Sequence, residues 1–325
     1  GKAIAGLKYT PTVTPVTPIG EDVTSTGKQG KVQTGTPKFT EGDAEVPLKV
    51  DADQPAKFVV NGTAVEETTI DATKEGAKVG TYAINPLTGE VTFSPNKDFV
   101  GTPDAVTVQV KDENGTTATA KYTPTVTPVT PTGEDVTSTG KQGKVQTGTP
   151  KFTEGDAEVP LKVDADQPAK FVVNGNVVEE TTIDAVKDGA KVGTYTLDPL
   201  TGEVTFTPNK DFVGTPDAVT VQVKDENGTS ATAKYTPTVT AVTPTGEDVS
   251  TTGKQGKVQT GTPKFTEGDA EVPLKVDAAQ PAKFVVNGTA VEETTIDAMK
   301  DGAKVGTYTL DPLTGEVTFT PNKDF

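Results

Sequence analysis

Between Gly193 and Phe212 the chain reads Gly-Thr-Tyr-Thr-Leu-Asp-Pro-Leu-Thr-Gly-Glu-Val-Thr-Phe-Thr-Pro-Asn-Lys-Asp-Phe. Tyr195 and Leu197 alternate with Thr194 and Thr196, and Val204 and Phe206 alternate with Glu203, Thr205 and Thr207. A period of two predicts a pair of strands that each bury one face. The intervening Asp198-Pro199-Leu200-Thr201-Gly202 is turn chemistry: Asp bonds its own backbone, Pro presets φ, and Gly202 supplies the positive φ that returns the chain. The same hairpin is written at Gly80–Phe99 and Gly306–Phe325 with almost no change.

That recurrence extends to the whole chain. Gly-Glu-Asp-Val stands at Gly20, Gly133 and Gly246, a constant interval of 113 residues with no insertion or deletion. A unit of this length can bury its own core, so the pattern predicts a tandem array of autonomous domains and not a solenoid of short repeats. Residues 1–17 align with the end of a unit, since Lys8–Thr14 matches Lys121–Thr127, and are expected to be the last strand of a preceding repeat. Residues 18–130 and 131–243 are expected to be complete sandwich repeats. Residues 244–325 are a repeat without the counterpart of Val213–Thr240, so its core and one sheet edge should be exposed.

Within one unit, Asp22–Thr26 reads as a strand, with a kink or bulge expected at Gly27-Lys28-Gln29-Gly30 before Lys31–Thr34. Val46, Leu48 and Val50 alternate, with Pro47 tolerable at an edge. Lys57–Val60, Asn61-Gly62 and Thr63–Glu66 predict a hairpin closed by a type I′ turn. Thr68–Gly76 shows no clean period and is expected to be a loop or a single helical turn. Val106, Val108 and Val110, then Asn114-Gly115, then Ala118, Ala120, Tyr122 and Val126 predict a last Asn-Gly hairpin. Its second strand runs into Pro124, Pro128 and Pro131, which favour extended backbone and suggest a stiff spacer that holds the units apart. Phe39, Phe58, Tyr82, Phe93, Phe99 and Tyr122, with their copies, are the expected core aromatics. The short strands and frequent turns predict an all-β tandem array of antiparallel, immunoglobulin-like β-sandwiches joined by short Pro/Thr-rich linkers.

Composition narrows the functions open to such an array. The charged residues are 30 Lys, no Arg and 46 acidic side chains, a net charge of −16, which repels nucleic acid and anionic membrane. No Cys and no His are present, removing disulfides, thiol catalysis, Ser-His relays and most transition-metal chemistry. No apolar run approaches the about 20 residues of a membrane span. Catalytic, cofactor-binding and metal residues are all expected to be none, and the chain is read as not an enzyme. The acidic loop residues Asp51 and Asp53, Glu134 and Asp135, and Asp225-Glu226-Asn227 are the only candidates for calcium. None has EF-hand spacing, and Ala279 replaces Asp53 in the third unit. Lys57, Lys111 and Lys121 lie beside apolar residues, as a Lys-Asn isopeptide would need, but on outward faces.

Gly133–Gly148, Gly-Glu-Asp-Val-Thr-Ser-Thr-Gly-Lys-Gln-Gly-Lys-Val-Gln-Thr-Gly, together with the central hairpin and the trailing Lys-Tyr-Thr-Pro-Thr-Val-Thr, resembles the CshA-type fibril repeat of streptococcal cell-surface adhesins. The resemblance implies a Gram-positive, secreted, cell-wall-anchored protein whose repeats form a fibril stalk carrying a separate adhesive head that binds a host ligand. On that reading the partners of this segment are its neighbouring repeats, with no nucleic acid and no membrane span. The rival expectation is that the repeats themselves bind a host protein, a glycan or each other through multivalency.

Overall fold

The computed structural model describes residues 1–2 and 4–325, and every strand-pairing in it repeats with the 113-residue period. Ala3, inside the N-terminal segment expected to be a strand, lies outside the described residues. No helix among the described residues is long and apolar enough to cross a membrane.

The first repeat contains β1 (Ile19–Glu21), β2 (Val23–Lys28), β3 (Gln33–Gly35), β4 (Lys38–Thr40), β5 (Leu48–Lys49), β6 (Lys57–Val60), β7 (Thr63–Ala64), β8 (Thr69–Lys74), β9 (Ala77–Ile84), β10 (Val91–Pro95), β11 (Val106–Asp112) and β12 (Thr117–Thr127). One sheet has the order β3-β10-β9-β8, the other β2-β12-β11-β6-β7 with β5 added to β11, and β1 and β4 form a separate ribbon. The inner faces supply a closed core of Phe58, Tyr82, Val91, Phe93, Val108 and Tyr122, each no more than 2% exposed. Tyr82 of one sheet meets Tyr122 of the other edge-on, ring centroids 6.4 Å apart, the arrangement aromatic quadrupoles favour. Phe39 and Phe99 pack on this core from its margin and are only partly buried. The array is therefore all-β, built of two-layered sandwiches, as its alternation implies.

Several expectations are corrected. In each of the first two repeats all ladders are antiparallel except one: in the first, β12 pairs β2 in parallel, Tyr122 beside Val23 through Thr127 beside Lys28. Thr68–Gly76 is neither loop nor helix, because Thr69–Lys74 is a strand paired with β9. A register shift between Ala72 and Thr73 breaks its period, which is why the pattern reads as irregular. Its turn puts Glu75 at φ 50° beside Gly76 at 82°, a left-handed pair closed without Asn. Asn61-Gly62, at φ 54° and 80°, forms the expected tight hairpin. Asn114-Gly115 lies in the turn of the expected last hairpin, β11 with β12, but with only Gly115 left-handed. There the buried Asp112 holds the turn by accepting the N–H groups of Asn114 and Thr116, both at 2.9 Å. Strand pairing starts at Ile19, ahead of the expected Asp22, and Val46–Val50 contributes only the two-residue β5.

The first 17 residues described carry no strand pairing, and Tyr9 and Val13 are about nine-tenths exposed (89% and 90%). The third repeat keeps its hairpin sheet, Thr295–Lys300, Ala303–Leu310 and Val317–Pro321 with Gln259–Gly261. Its second sheet is reduced to the ribbon Val285–Val286 with Thr289–Ala290. Phe265 is 62% exposed there.

Candidate functional site

The contacts that join successive repeats are where the structure differs most from a stiff spacer that merely holds the units apart. Strand β12 ends at Thr127 and the next repeat's first strand opens at Thr132. Of the four residues between, Val129 and Pro131 are buried. The linker is seated on both repeats. In the second repeat a Cβ at Gly155 would overlap the main chain of Thr130, so only glycine lets the linker pass there. Gly268 stands in the same relation to Thr243, and Gly42 to Thr17.

The other contact surface is the turn after β2. Gln29 extends the parallel ladder by donating its N–H to the Thr127 carbonyl at 2.8 Å. Its buried side chain donates to the Lys97 carbonyl (2.9 Å) and accepts from the Val129 N–H (3.1 Å), tying the turn to the linker. Gly30, at φ 81°, closes the turn. The flanking lysines then reach into the second repeat. Lys28 Nζ lies 2.9 Å from Asp156 Oδ2 and 2.7 Å from Glu158 Oε2, and Lys31 Nζ lies 3.0 Å from Glu226 Oε1. Asn227 donates from Nδ2 to the Gln29 carbonyl at 2.9 Å, at the tip of the hairpin that ends the second repeat. The turn of one repeat is thus held between two loops of the next.

Charge and hydrogen bonding reinforce each other at this clamp. The Glu158 and Asp156 carboxylates hold the Lys28 ammonium above its ordinary value. The Asp156 carboxyl is held below its own, first by the Glu158 N–H at 2.9 Å and then by Lys28. The second joint repeats the clamp, with Lys141 Nζ 2.8 Å from Asp269 Oδ2 and 2.6 Å from Glu271 Oε2. There Asp269 raises the lysine first and Glu271 second. Gln142 likewise accepts from the Val242 N–H at 3.1 Å, so Ala241, standing where Pro128 stood, leaves that bond in place.

Val159 follows the clamp acids and is fully buried, whereas its equivalents Val46 and Val272 are only half-buried. With Val159 buried beside the clamp acids, the joint includes an apolar element besides its ion pairs.

Of the acidic residues considered for calcium, Asp51, Asp135, Asp225 and Glu226 bond to groups of the protein. Asp51 Oδ1 accepts the N–H groups of Asp53 and Gln54, and Asp135 Oδ1 accepts that of Lys234. Asp225 is fully buried and accepts from Asn227 and Thr229, leaving Oδ2 without a partner. Glu226 and Asn227 belong to the joint. Of the isopeptide candidates, Lys57 pairs with Glu66 at 2.7 Å on the surface, Lys111 is half-buried and Lys121 exposed. Sequence reasoning missed Lys28, Gln29, Lys31, Asp156, Glu158 and Asn227 as joint residues. The available signal was that Lys-Gln-Gly-Lys and Asp-Ala-Glu-Val recur unchanged in all three copies although neither supplies a core residue pattern.

A sequence model of the family described as the surface adhesin CshA repetitive domain matches residues 15–126, 128–239 and 241–325. No curated protein matches the chain. Among solved structures, the extracellular cadherin domains 1–4 of protocadherin gamma B7 are similar at 13% identity, over 94% of this chain and 68% of that one, with a TM-score of 0.33. The I9–I11 tandem of titin is similar at 10% identity over 95% and 90%, TM-score 0.32. Mouse cadherin-23 EC22–24 is similar at 15% over 70% and 65%, TM-score 0.25.

Proposed function

The chain belongs to the surface adhesin CshA repetitive domain family, and from that premise we propose that it is a stalk segment of a fibrillar adhesin. As a repeat region of that family it is an extracellular cell-surface protein. On our reading it divides into a preceding strand (1–17), repeats at 18–130 and 131–243, and an open repeat at 244–325. It projects a separate binding head away from a Gram-positive cell wall to which the whole protein is anchored. Its partners are its own neighbouring repeats, and it performs no catalysis.

The observation that carries this reading is the joint. Lys28 reaches Asp156 and Glu158, and Lys141 reaches Asp269 and Glu271, with the same atoms and nearly the same distances. A repeated joint of fixed geometry turns successive sandwiches into a directed rod, which is what a stalk requires. An adhesive face would instead show buried aromatic or arginine anchors ready for a partner, and this chain contains no Arg or Trp at all. Single exposed ion pairs are weak, so the joint works through their combination with Gln29, Asn227 and the buried Val159.

Surfaces coated with the chain and challenged with extracellular-matrix proteins and a glycan array test the reading. Capture of none is the expected result. Saturable capture by repeats, with small-angle scattering from the free chain showing no rod-like cross-section regime, would replace the stalk by an adhesive array.

A further inference from the structure

The parallel ladder joins the first part of a repeat to its last strand, and its direction sets how the repeat takes tension. Strand β2 follows the entry of the chain and β12 leads to its exit, side by side from Val23 with Tyr122 to Lys28 with Thr127. In the second repeat Val136–Lys141 lies on Ser230–Thr240 in the same way. The segments before Val136 and after Thr240 therefore attach at opposite ends of one ladder. Pulled through them, the two strands slide along each other and all the bonds of the ladder are strained together. Strands pulled apart from a single end would instead lose those bonds one at a time.

Side-chain bonds gather along this boundary. In the second repeat the Lys234 N–H donates to Asp135 Oδ1 at 2.8 Å, and the Tyr235 hydroxyl lies 2.5 Å from Ser138 Oγ. Gln146 Nε2 donates to the Thr238 carbonyl at 3.0 Å, and Thr240 Oγ1 donates to the Gly140 carbonyl at 3.2 Å. Gln142 lengthens the ladder by donating its N–H to the Thr240 carbonyl at 2.8 Å. The first repeat has all of these bonds at the equivalent residues, from Asp22 with Lys121 to Gly27 with Thr127. Even the proline of the strand is placed to spare the ladder. The Lys234 N–H and the Thr240 carbonyl face Val136–Lys141, so alternation turns the Pro237 position the other way, the side on which Val239 exchanges N–H and C=O bonds with Gly214 at 2.8 and 3.0 Å.

Resting on the stalk reading, we propose that this reinforced parallel ladder is a mechanical clamp, which keeps a repeat folded while tension passes along the chain from one linker to the next. The ladder ends at Lys141 and Gln142, the residues that grip the following repeat and its linker, so the pull leaves the ladder where the repeats are joined. Forced unfolding is governed by the unfolding rate and not by equilibrium stability, so the direction of the pull, and not only the size of the core, sets the resistance.

Single-molecule force spectroscopy on the full 325-residue chain tests this. The chain has no cysteine of its own, so pairs introduced at exposed positions fix where the handles attach. E134C with A241C pulls the second repeat from opposite ends of the ladder, and E134C with K234C pulls it from one end. The first geometry should need a severalfold higher force to unfold the repeat. D135A and T240V each remove a bond across the ladder and should lower that force. T182V removes the Thr182–Thr196 hydroxyl bond (3.2 Å) in the other sheet and should leave it unchanged. Equal forces in the two geometries, or a loss in T182V as large as in D135A and T240V, overturns the clamp. Either result would leave the stalk reading standing, because that reading is decided by ligand capture and scattering.

Discussion

The second and third repeats carry nearly the same residues, and their central hairpins have the same local geometry. Tyr195 and Phe206 have ring centroids 5.3 Å apart at 41°, and Tyr308 and Phe319 5.4 Å apart at 40°. Yet Tyr195 is 2% exposed and Tyr308 39%. The difference is the hairpin Val219–Asp225 with Ser230–Thr240, which covers one and not the other. Pairing within a hairpin is settled by neighbours in sequence. Burial of its inner face is settled by strands that arrive some hundred residues after the sheet edge they complete, such as Tyr235 beside Val136. One pattern thus yields a closed sandwich or an open half-sheet, depending on contacts that the alternation itself does not contain.

The largest effect that sharpens this comparison is expected at the core aromatic. Phe206→Ala should cost the second repeat about 3 to 5 kcal/mol, the range for a fully buried aromatic. Phe319→Ala, at the half-buried equivalent, should cost the third repeat under about 2 kcal/mol. Hydrogen exchange resolved by repeat reads both in one chain. Equal losses would show that the third repeat closes by another route.

Next comes a pair of glycines. A Cβ at Gly148 would run into the Tyr235 ring, so Gly148→Ala should destabilise the second repeat by about 1 to 3 kcal/mol, as overpacking does. Gly261→Ala, with no ring above it, should stay within about 0.5 kcal/mol, and thermal melts of the two variants check the contrast.

What was legible in the chain follows the same division. The hairpin strands, the Asn61-Gly62 turn and the core tyrosines were readable because period-two alternation and left-handed turn residues act over a few positions. The strand Thr69–Lys74 was not, because its bulge breaks the period and Glu75 occupies a left-handed position usually given to Asn or Gly. The parallel pairing of β2 with β12 was not, since nothing local encodes a partner about 100 residues away. The joint was hidden for the same reason. Lys28 and Asp156 are 128 residues apart in sequence, and proline spacing alone suggested a stiff spacer holding the units apart where the structure shows a linker seated on the repeats.

The pH response of the joint is a smaller effect with a definite sign. The Asp156 carboxyl is lowered from 3.8, so its contribution is present above that pH and is lost as pH falls through the lowered folded-state value. The Lys28 ammonium is raised from 10.5, so its contribution is complete below that pH and is lost as pH rises through the raised value. The joint should therefore loosen below about pH 3.8 and above about pH 10.5. Added salt should loosen it mildly at neutral pH, because the pairs are partly exposed. Scattering curves across pH and salt check both.

The central claim, that direct contacts lock successive repeats, is tested most directly by pulsed electron paramagnetic resonance. The chain has no cysteine, so Glu67→Cys with Glu180→Cys places the only two spin labels at equivalent exposed loop positions on the first two repeats. The account predicts a single narrow distance distribution that broadens when Lys28→Ala and Asn227→Ala are added. It further predicts a broader distribution for the pair Glu180→Cys and Glu293→Cys, where the clamp acts without the hairpin tip. A broad distribution across the first joint, unchanged by Lys28→Ala and Asn227→Ala, would contradict it.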